Sequence, residues 1–287
     1  MSATIVLALR GAGDEPIDFR RTITSHGLAA LAPARILDSA YERDVRIGTR
    51  VRTLRFEARG DELHVSASGP RLRAAEATHV RAIARRIFRL DDDLQPFYAA
   101  IANDARLGWA AHGAGRLLAS PSIFEDVVKT ICTTNCAWSA TIRMNDALVE
   151  LGGGAFPDAA LLARTPERWF AERARMGYRG PYIRALAREV DAGRLDLDAL
   201  VPSRGLDDDE VEARLLALAG VGPYAAAHIM QLLGRHHRLI LDSWTRPNYL
   251  RIAGKKRASD ATMRRAFARY GRYAGLAFWL YLTQEWT

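Results

Sequence analysis

Over the first seventy residues apolar and polar positions alternate, which is the period of strands half-buried in a sheet. Thr4–Arg10 is apolar and rich in β-formers. Arg50–Ala58 sets Val51, Leu54 and Phe56 among arginines, and Glu62–Ser68 follows the turn-forming Arg59-Gly60-Asp61. These runs predict an antiparallel sheet with one solvated face. From about Arg73 the period lengthens: Val80, Ile83, Ala84, Ile87 and Phe88 fall on one stripe of a helix over Ala74–Leu90. The remainder of the chain reads mostly as helices punctuated by Gly and Pro. One passes through Phe124, Val127, Val128 and Ile131 after Pro121-Ser122, and Ala137–Leu151 is stopped by Gly152-Gly153-Gly154. Thr165-Pro166-Glu167 predicts a helix start with the threonine as N-cap; Pro181–Ala192 is ended by Gly193, and a last helix runs from about Tyr273 to Trp286. The predicted fold class is α+β, mostly α: an antiparallel β-sheet domain over residues 1–72, then a helical body over 73–287 in two subdomains.

Composition narrows the class without naming a function. A chain of 287 residues that is 49% hydrophobic and 26% charged can bury a substantial core and is not globally disordered. No apolar run approaches the roughly 18 residues of a membrane span, and no basic stretch precedes an apolar core at the N-terminus. The chain is therefore expected to be cytoplasmic, without a membrane partner. Cys132 and Cys136, four apart on an expected helix, read as core thiols rather than a disulfide frame or metal ligands; no metal or cofactor is expected. The net charge of +8, with a pI near 9.9, is compatible with a polyanionic partner but fits other proteins too. Lys129, Lys255 and Lys256 are the only lysines. That scarcity fits a GC-rich genome, and it leaves few amines for any mechanism that needs one.

Residues Asp207–Gly234 carry the most information. Asp207-Asp208-Asp209-Glu210 opens a helix, with its acids at the positive end of the dipole. Leu218-Ala219-Gly220-Val221-Gly222-Pro223 then makes a tight hairpin, and Pro223 starts a second helix through Tyr224 and His228. The glycines permit positive φ and close approach, and the new helix N-terminus offers free amides to a phosphate. Such a device clamps a nucleic-acid backbone without reading bases. After the apolar Leu239-Ile240-Leu241, Asp242 precedes another helix, Ser243–Arg251.

Helix, Gly-Val-Gly hairpin, helix and subsequent aspartate resemble the helix-hairpin-helix DNA glycosylases, more narrowly their 8-oxoguanine and AlkA (3-methyladenine) branch. The resemblance runs from about Phe19 to the C-terminus and is firmest from Pro121 to Tyr249. It implies a β-sheet domain before the helical body, and damaged double-stranded DNA as partner of a monomeric, DNA-associated enzyme. Ile131-Cys132-Thr133-Thr134-Asn135 resembles the segment whose asparagine fills the gap left by an extruded nucleotide, which implies that role for Asn135. Gly177-Tyr178-Arg179 resembles the loop in which Tyr178 would wedge into the stack and Arg179 would contact the orphaned base. Gly220 and Gly222 would hold the strand.

A glycosyl bond breaks through an oxocarbenium-like sugar. Asp242 is the expected catalytic carboxylate, able to stabilise that charge and position water, in addition to capping a helix. Tyr224 stands where the bifunctional relatives carry the Schiff-base lysine, so the chain resembles the monofunctional kind. Tyr224, His228 and Trp138, with Trp244 and Trp279, are candidate walls of a base pocket suited to a cationic alkylated purine. Two alternatives remain at this level. One is an 8-oxoguanine-type enzyme with lyase activity through Lys129 or the terminal amine, although Lys129 reads foremost as a solvated or salt-bridged surface residue. The other is a non-catalytic lesion binder.

Overall fold

The computed structural model describes residues 4–286. Five strands, β1 (Ile5–Ala8), β2 (Ala34–Ile36), β3 (Tyr41–Ile47), β4 (Arg50–Arg59) and β5 (Glu62–Ala67), form one antiparallel sheet in the order β1-β5-β4-β3-β2. The expected fold class holds, although alternation did not isolate β2 and β3, two of the five strands. The inward face of β4 is Arg52, Leu54 and Phe56, not Val51. Arg52 can point inward because its guanidinium donates to the carbonyls of Ser68 and Pro70, which keeps the buried charge hydrogen-bonded.

Helix α1 (Ala74–Ile87) lays Val80, Ile83, Ala84 and Ile87 onto Tyr41, Leu54, Phe56 and Val65. The divide expected at 72/73 thus runs through a shared core. The other principal helices are α2 (Ile123–Thr133), α3 (Trp138–Leu151), α4 (Arg179–Asp191), α5 (Asp208–Leu216), α6 (Pro223–Leu232), α7 (Thr245–Ile252) and α8 (Ala274–Thr283). One helical core joins α2 to α6; a second joins α7 and α8 to Leu239–Leu241 and to residues 95–101 and 260–267. Tyr224 packs against both cores. Burying large apolar side chains of this kind stabilises by about 1.5–3 kcal/mol each.

Several local expectations change. Thr165 does not cap the helix after it: its hydroxyl donates to the Leu161 carbonyl of the preceding turn, and Glu167–Glu172 starts from Pro166 without a side-chain cap. The helix after Asp242 begins at Thr245, and the last helix stops at Thr283. Cys136 lies in a turn beyond the end of α2, so only Cys132 is a buried helical thiol. Among the described residues no cluster of His, Cys, Asp or Glu could hold a metal ion, and no helix is long and apolar enough to cross a membrane.

Buried ion pairs tie the sheet to the helices, which explains part of the arginine content. Arg43 on β3 pairs with Glu125 on α2, and Lys129 on α2 pairs with the same carboxylate at 2.9 Å. The Lys129 amine also donates to the Leu31 carbonyl at 3.2 Å. Arg116 pairs with Glu15, both fully enclosed. Removing one partner from such a pair strands the other charge at a cost of about 3–5 kcal/mol. Lys129 is thus salt-bridged as expected but interior, not on the surface.

Candidate functional site

A hollow of about 400 Å³ opens where the sheet domain meets the two helical cores. The sheet domain contributes His26, Gly27 and Leu28; α3 contributes Trp138 and Thr141; α6 contributes Tyr224 and His228; Asp242 and Trp244 precede α7; and Trp279 and Trp286 come from the C-terminal end. The segment at Ser25–His26 is fixed at three points. The Ser25 hydroxyl accepts from the Leu118 amide at 2.9 Å, its carbonyl accepts from Trp279 Nε1 at 2.9 Å, and His26 Nε2 lies 2.9 Å from the Leu118 carbonyl. Trp244, Trp279 and Trp286 pack into a cluster of tilted and edge-on rings with centroids 5.3–5.9 Å apart. Trp138, nearly half exposed, stands over Gly27, where an added Cβ would meet its ring at 3.1 Å. Such walls suit a flat aromatic ligand and attract one that carries positive charge.

Asp242 is half-buried at this hollow. Its Oδ1 accepts from the amides of Trp244 at 2.9 Å and Thr245 at 2.6 Å, while its own amide donates to Thr245 Oγ1 at 2.8 Å. This is a helix cap, and it fixes the carboxylate in one orientation. Among the described residues no hydrogen bond reaches Oδ2. The carboxylate thus has one oxygen spent on the fold and one available to chemistry. The neighbouring Tyr224 phenol is pushed up chiefly by burial, with the Asp242 charge adding to the shift and a 3.2 Å hydrogen bond to Thr133 opposing it. It stays protonated at neutral pH and is no nucleophile. His228 sits one turn further along α6, buried, its ring edge-on to Tyr224 at 6.0 Å.

A second hollow lies on the other side of Tyr224, lined by Thr134, Asn135, Tyr178, Tyr182 and the hairpin Gly220–Ala225. The glycines of the hairpin differ. Gly220 has φ +86°, and an added Cβ would sit 2.9 Å from the Tyr182 ring, so the fold itself demands glycine there. Gly222 is extended at φ −96°, ψ −176°, and a Cβ would meet nothing within 4 Å. The expectation of positive φ is therefore met at Gly220 only. Gly222 opens outward at the N-terminus of α6, where the free amides are.

Asn135 ends the turn after α2 with φ +46°, and its amide reaches the Tyr178 hydroxyl at 3.4 Å. Tyr178 is 47% exposed and packs edge-on to Tyr182 at 5.8 Å. Arg179 is buried: its guanidinium donates to the Thr134 carbonyl, from Nε at 3.1 Å and also from Nη2, and lies 4.5 Å from the Tyr178 ring centroid. It holds the Asn135 turn and the Tyr178 ring together, rather than reaching out toward a base. Sequence reasoning did not find His26, Tyr182 or Trp286, which reach the site only through tertiary packing. Of the three, Tyr182 alone shares with Trp138 and Tyr178 the signal of an exposed aromatic ring. Four of the large exposed apolar side chains, Trp138, Tyr178, Tyr182 and Trp244, surround these two hollows.

No protein-family model matches the sequence. Over 178 residues it is 28% identical to a protein of Methanothermobacter thermautotrophicus described as "Probable N-glycosylase/DNA lyase"; the match covers 50% of this chain and about half, 54%, of that protein. Among solved structures, the 3-methyladenine DNA-glycosylase from Archaeoglobus fulgidus superposes with a TM-score of 0.74 at 18% identity, over 98% of this chain and 99% of that one. The apo form of the 8-oxoguanine glycosylase/lyase of Clostridium acetobutylicum superposes with a TM-score of 0.72 at 17% identity, over 98% and 96%. The chain has the fold shared by the 8-oxoguanine and 3-methyladenine DNA glycosylases.

Proposed function

We propose that this protein is a monofunctional DNA glycosylase of base excision repair, which extrudes a damaged purine, alkylated in preference, from duplex DNA and hydrolyses its glycosyl bond. The observation that carries this reading is Asp242: a carboxylate held by a helix cap, one oxygen unpartnered, at the mouth of an aromatic hollow beside a glycine hairpin. The target bond is inaccessible within the stack, so the base must leave it first. Gly222 and the amides of α6 grip a phosphate. Tyr178 takes the place of the extruded nucleotide, with Asn135 beside it in the gap, and Arg179 positions both. The base enters between Trp138 and the Trp244–Trp279–Trp286 cluster. Asp242 then stabilises the developing oxocarbenium charge and orients the water that attacks it.

Cleavage of the strand is a separate step that needs an amine at the sugar. Tyr224 occupies the position in question, and no lysine lines the hollow. Burial and the neighbouring Arg43 lower the pKa of the Lys129 amine well below the usual lysine range, but that amine is enclosed and engaged by Glu125 and Leu31. The terminal amine lies outside the described residues. Borohydride added during turnover is therefore expected to trap no covalent protein–DNA adduct, and the strand should break only after alkali. An adduct at yields comparable to base release would replace this reading with a lyase. A panel of duplexes with one lesion each, developed with alkali, names the substrate; binding without any release would leave only a lesion binder.

The hairpin gives an independent check. Gly222→Ala should leave the melting temperature within a degree or two, because its backbone is ordinary and its Cβ has room. Duplex affinity should fall about tenfold, since the methyl intrudes where the phosphate approaches. Unchanged affinity, measured by fluorescence anisotropy, would remove the hairpin from the interface.

A further inference from the structure

The Arg179 guanidinium is spent inside the protein, so another side chain must meet a base orphaned by extrusion of its partner. Arg179 donates to the Thr134 carbonyl from Nε and Nη2, donates to the Met176 carbonyl from Nη1 at 3.4 Å, and lies against the Tyr178 ring. Turning it outward would strip two carbonyls of their donor and leave the Asn135 turn unbraced. Tyr182 stands in the place it leaves. It follows Tyr178 by four residues on α4, so the two rings leave the helix on one face. The Tyr182 ring is 36% exposed, edge-on to Tyr178, and covers Gly220 of the hairpin. Among the described residues its hydroxyl has no hydrogen-bond partner. Asn135, also exposed, lines the same hollow, and among the described residues no charged side chain does.

We infer that Tyr182, with Asn135, meets the orphaned base, and that the protein accepts any of the four bases there. A guanidinium only donates, so one aimed at an orphaned base favours an edge rich in acceptors and rejects the others. Hydroxyls and a carboxamide both donate and accept. Each base edge mixes donors and acceptors, and these groups match either by rotation. The aromatic ring adds contact that every base satisfies, since each has a π-face. The consequence is a lesion site blind to the opposite strand. The inference rests on the proposed extrusion of a base at Tyr178 and extends it to the choice of opposite base.

The test uses the intact protein and duplexes that carry one tetrahydrofuran abasic analogue, opposite each of the four bases in turn, with an undamaged duplex as control. No pair exists at the analogue, so differences in pairing strength do not enter. Affinities from fluorescence anisotropy should agree within about threefold across the four, because no fixed donor array selects among them. Tyr182→Ala should weaken binding to the analogue duplexes by about fivefold or more, the scale of a lost aromatic–base contact, and leave the undamaged duplex near wild type. Tyr182→Phe, which keeps the ring, should retain most of the affinity. A preference of more than about tenfold for one opposite base would overturn the inference, since a base-reading site discriminates on that scale. So would an equal loss on damaged and undamaged duplexes in Tyr182→Ala, which would make the ring a support for the hairpin. The wild-type series decides even if the Ala variant does not fold. Analogue duplexes bound no more tightly than the undamaged one would overturn the inference and the proposed wedge together.

Discussion

Asp242→Asn should reduce base release about a thousandfold, close to 4 kcal/mol of transition-state stabilisation, while duplex binding and thermal stability stay near wild type. The split between these readouts comes from the two oxygens of the side chain. Oδ1 caps α7 through the Trp244 and Thr245 amides, and an asparagine carboxamide oxygen can do the same. What asparagine cannot supply is negative charge facing the sugar. Asp242→Ala removes cap and charge together, so it should lose the same activity and a further ~1 kcal/mol of stability. If the residue were a cap alone, Asn would be active and Ala merely less stable. Release rates from a lesion-bearing duplex and melting curves of both variants separate the two roles.

Mild acid should destabilise the fold by roughly 6 kcal/mol between pH 7 and pH 5, an effect comparable to the whole stability of many domains. The cause is His26, His228 and His236, three buried rings whose folded values lie at about 4, 3 and 4, lowered first by burial. Asp126 opposes the shift at His26, and Asp92 and Asp208 oppose it at His236. Each ring stays neutral in the folded state, while the unfolded chain takes up its proton below about 6.5. Stability is therefore full above that value and falls as pH drops toward the folded values, at about 2 kcal/mol per ring over the two units. Shifted carboxylates such as Glu42 and Asp44, lowered mainly by their arginine hydrogen bonds, lose their contribution only at lower pH. Urea midpoints at pH 7, 6 and 5 measure the slope; a flat profile would mean that the rings are not dry in solution.

The fold was legible where physics is local. Alternation located β1, β4 and β5, the 3.6-residue period located α1, and Gly220-Val221-Gly222-Pro223 announced its hairpin, because backbone constraints write themselves into residue type. The short β2 carries no period, and the Ser25–Leu31 segment, with a single 3-10 turn over Gly27–Ala30, is held by Leu118, Trp279 and Lys129 from distant parts of the chain. This is why Asp242, Tyr224 and His228 were found at motif spacing and His26 was not. Arg179 shows a different limit. Its neighbour Tyr178 is exposed, yet the Thr134 carbonyl claims the guanidinium, a partner no local pattern reveals. Gly222 shows the converse: the fold does not need a glycine there, since an added Cβ would meet nothing within 4 Å.

The central claim, hydrolysis of a damaged purine from duplex DNA under control of Asp242, is tested most directly by mass spectrometry of the small molecules released from methylated duplex DNA. The expected result is free methylated purine with wild-type protein, on strands that remain intact until alkali is added, and about a thousandth of that rate with Asp242→Asn. Absence of any free base from methylated, oxidised and deaminated duplexes alike, with binding retained, would contradict it.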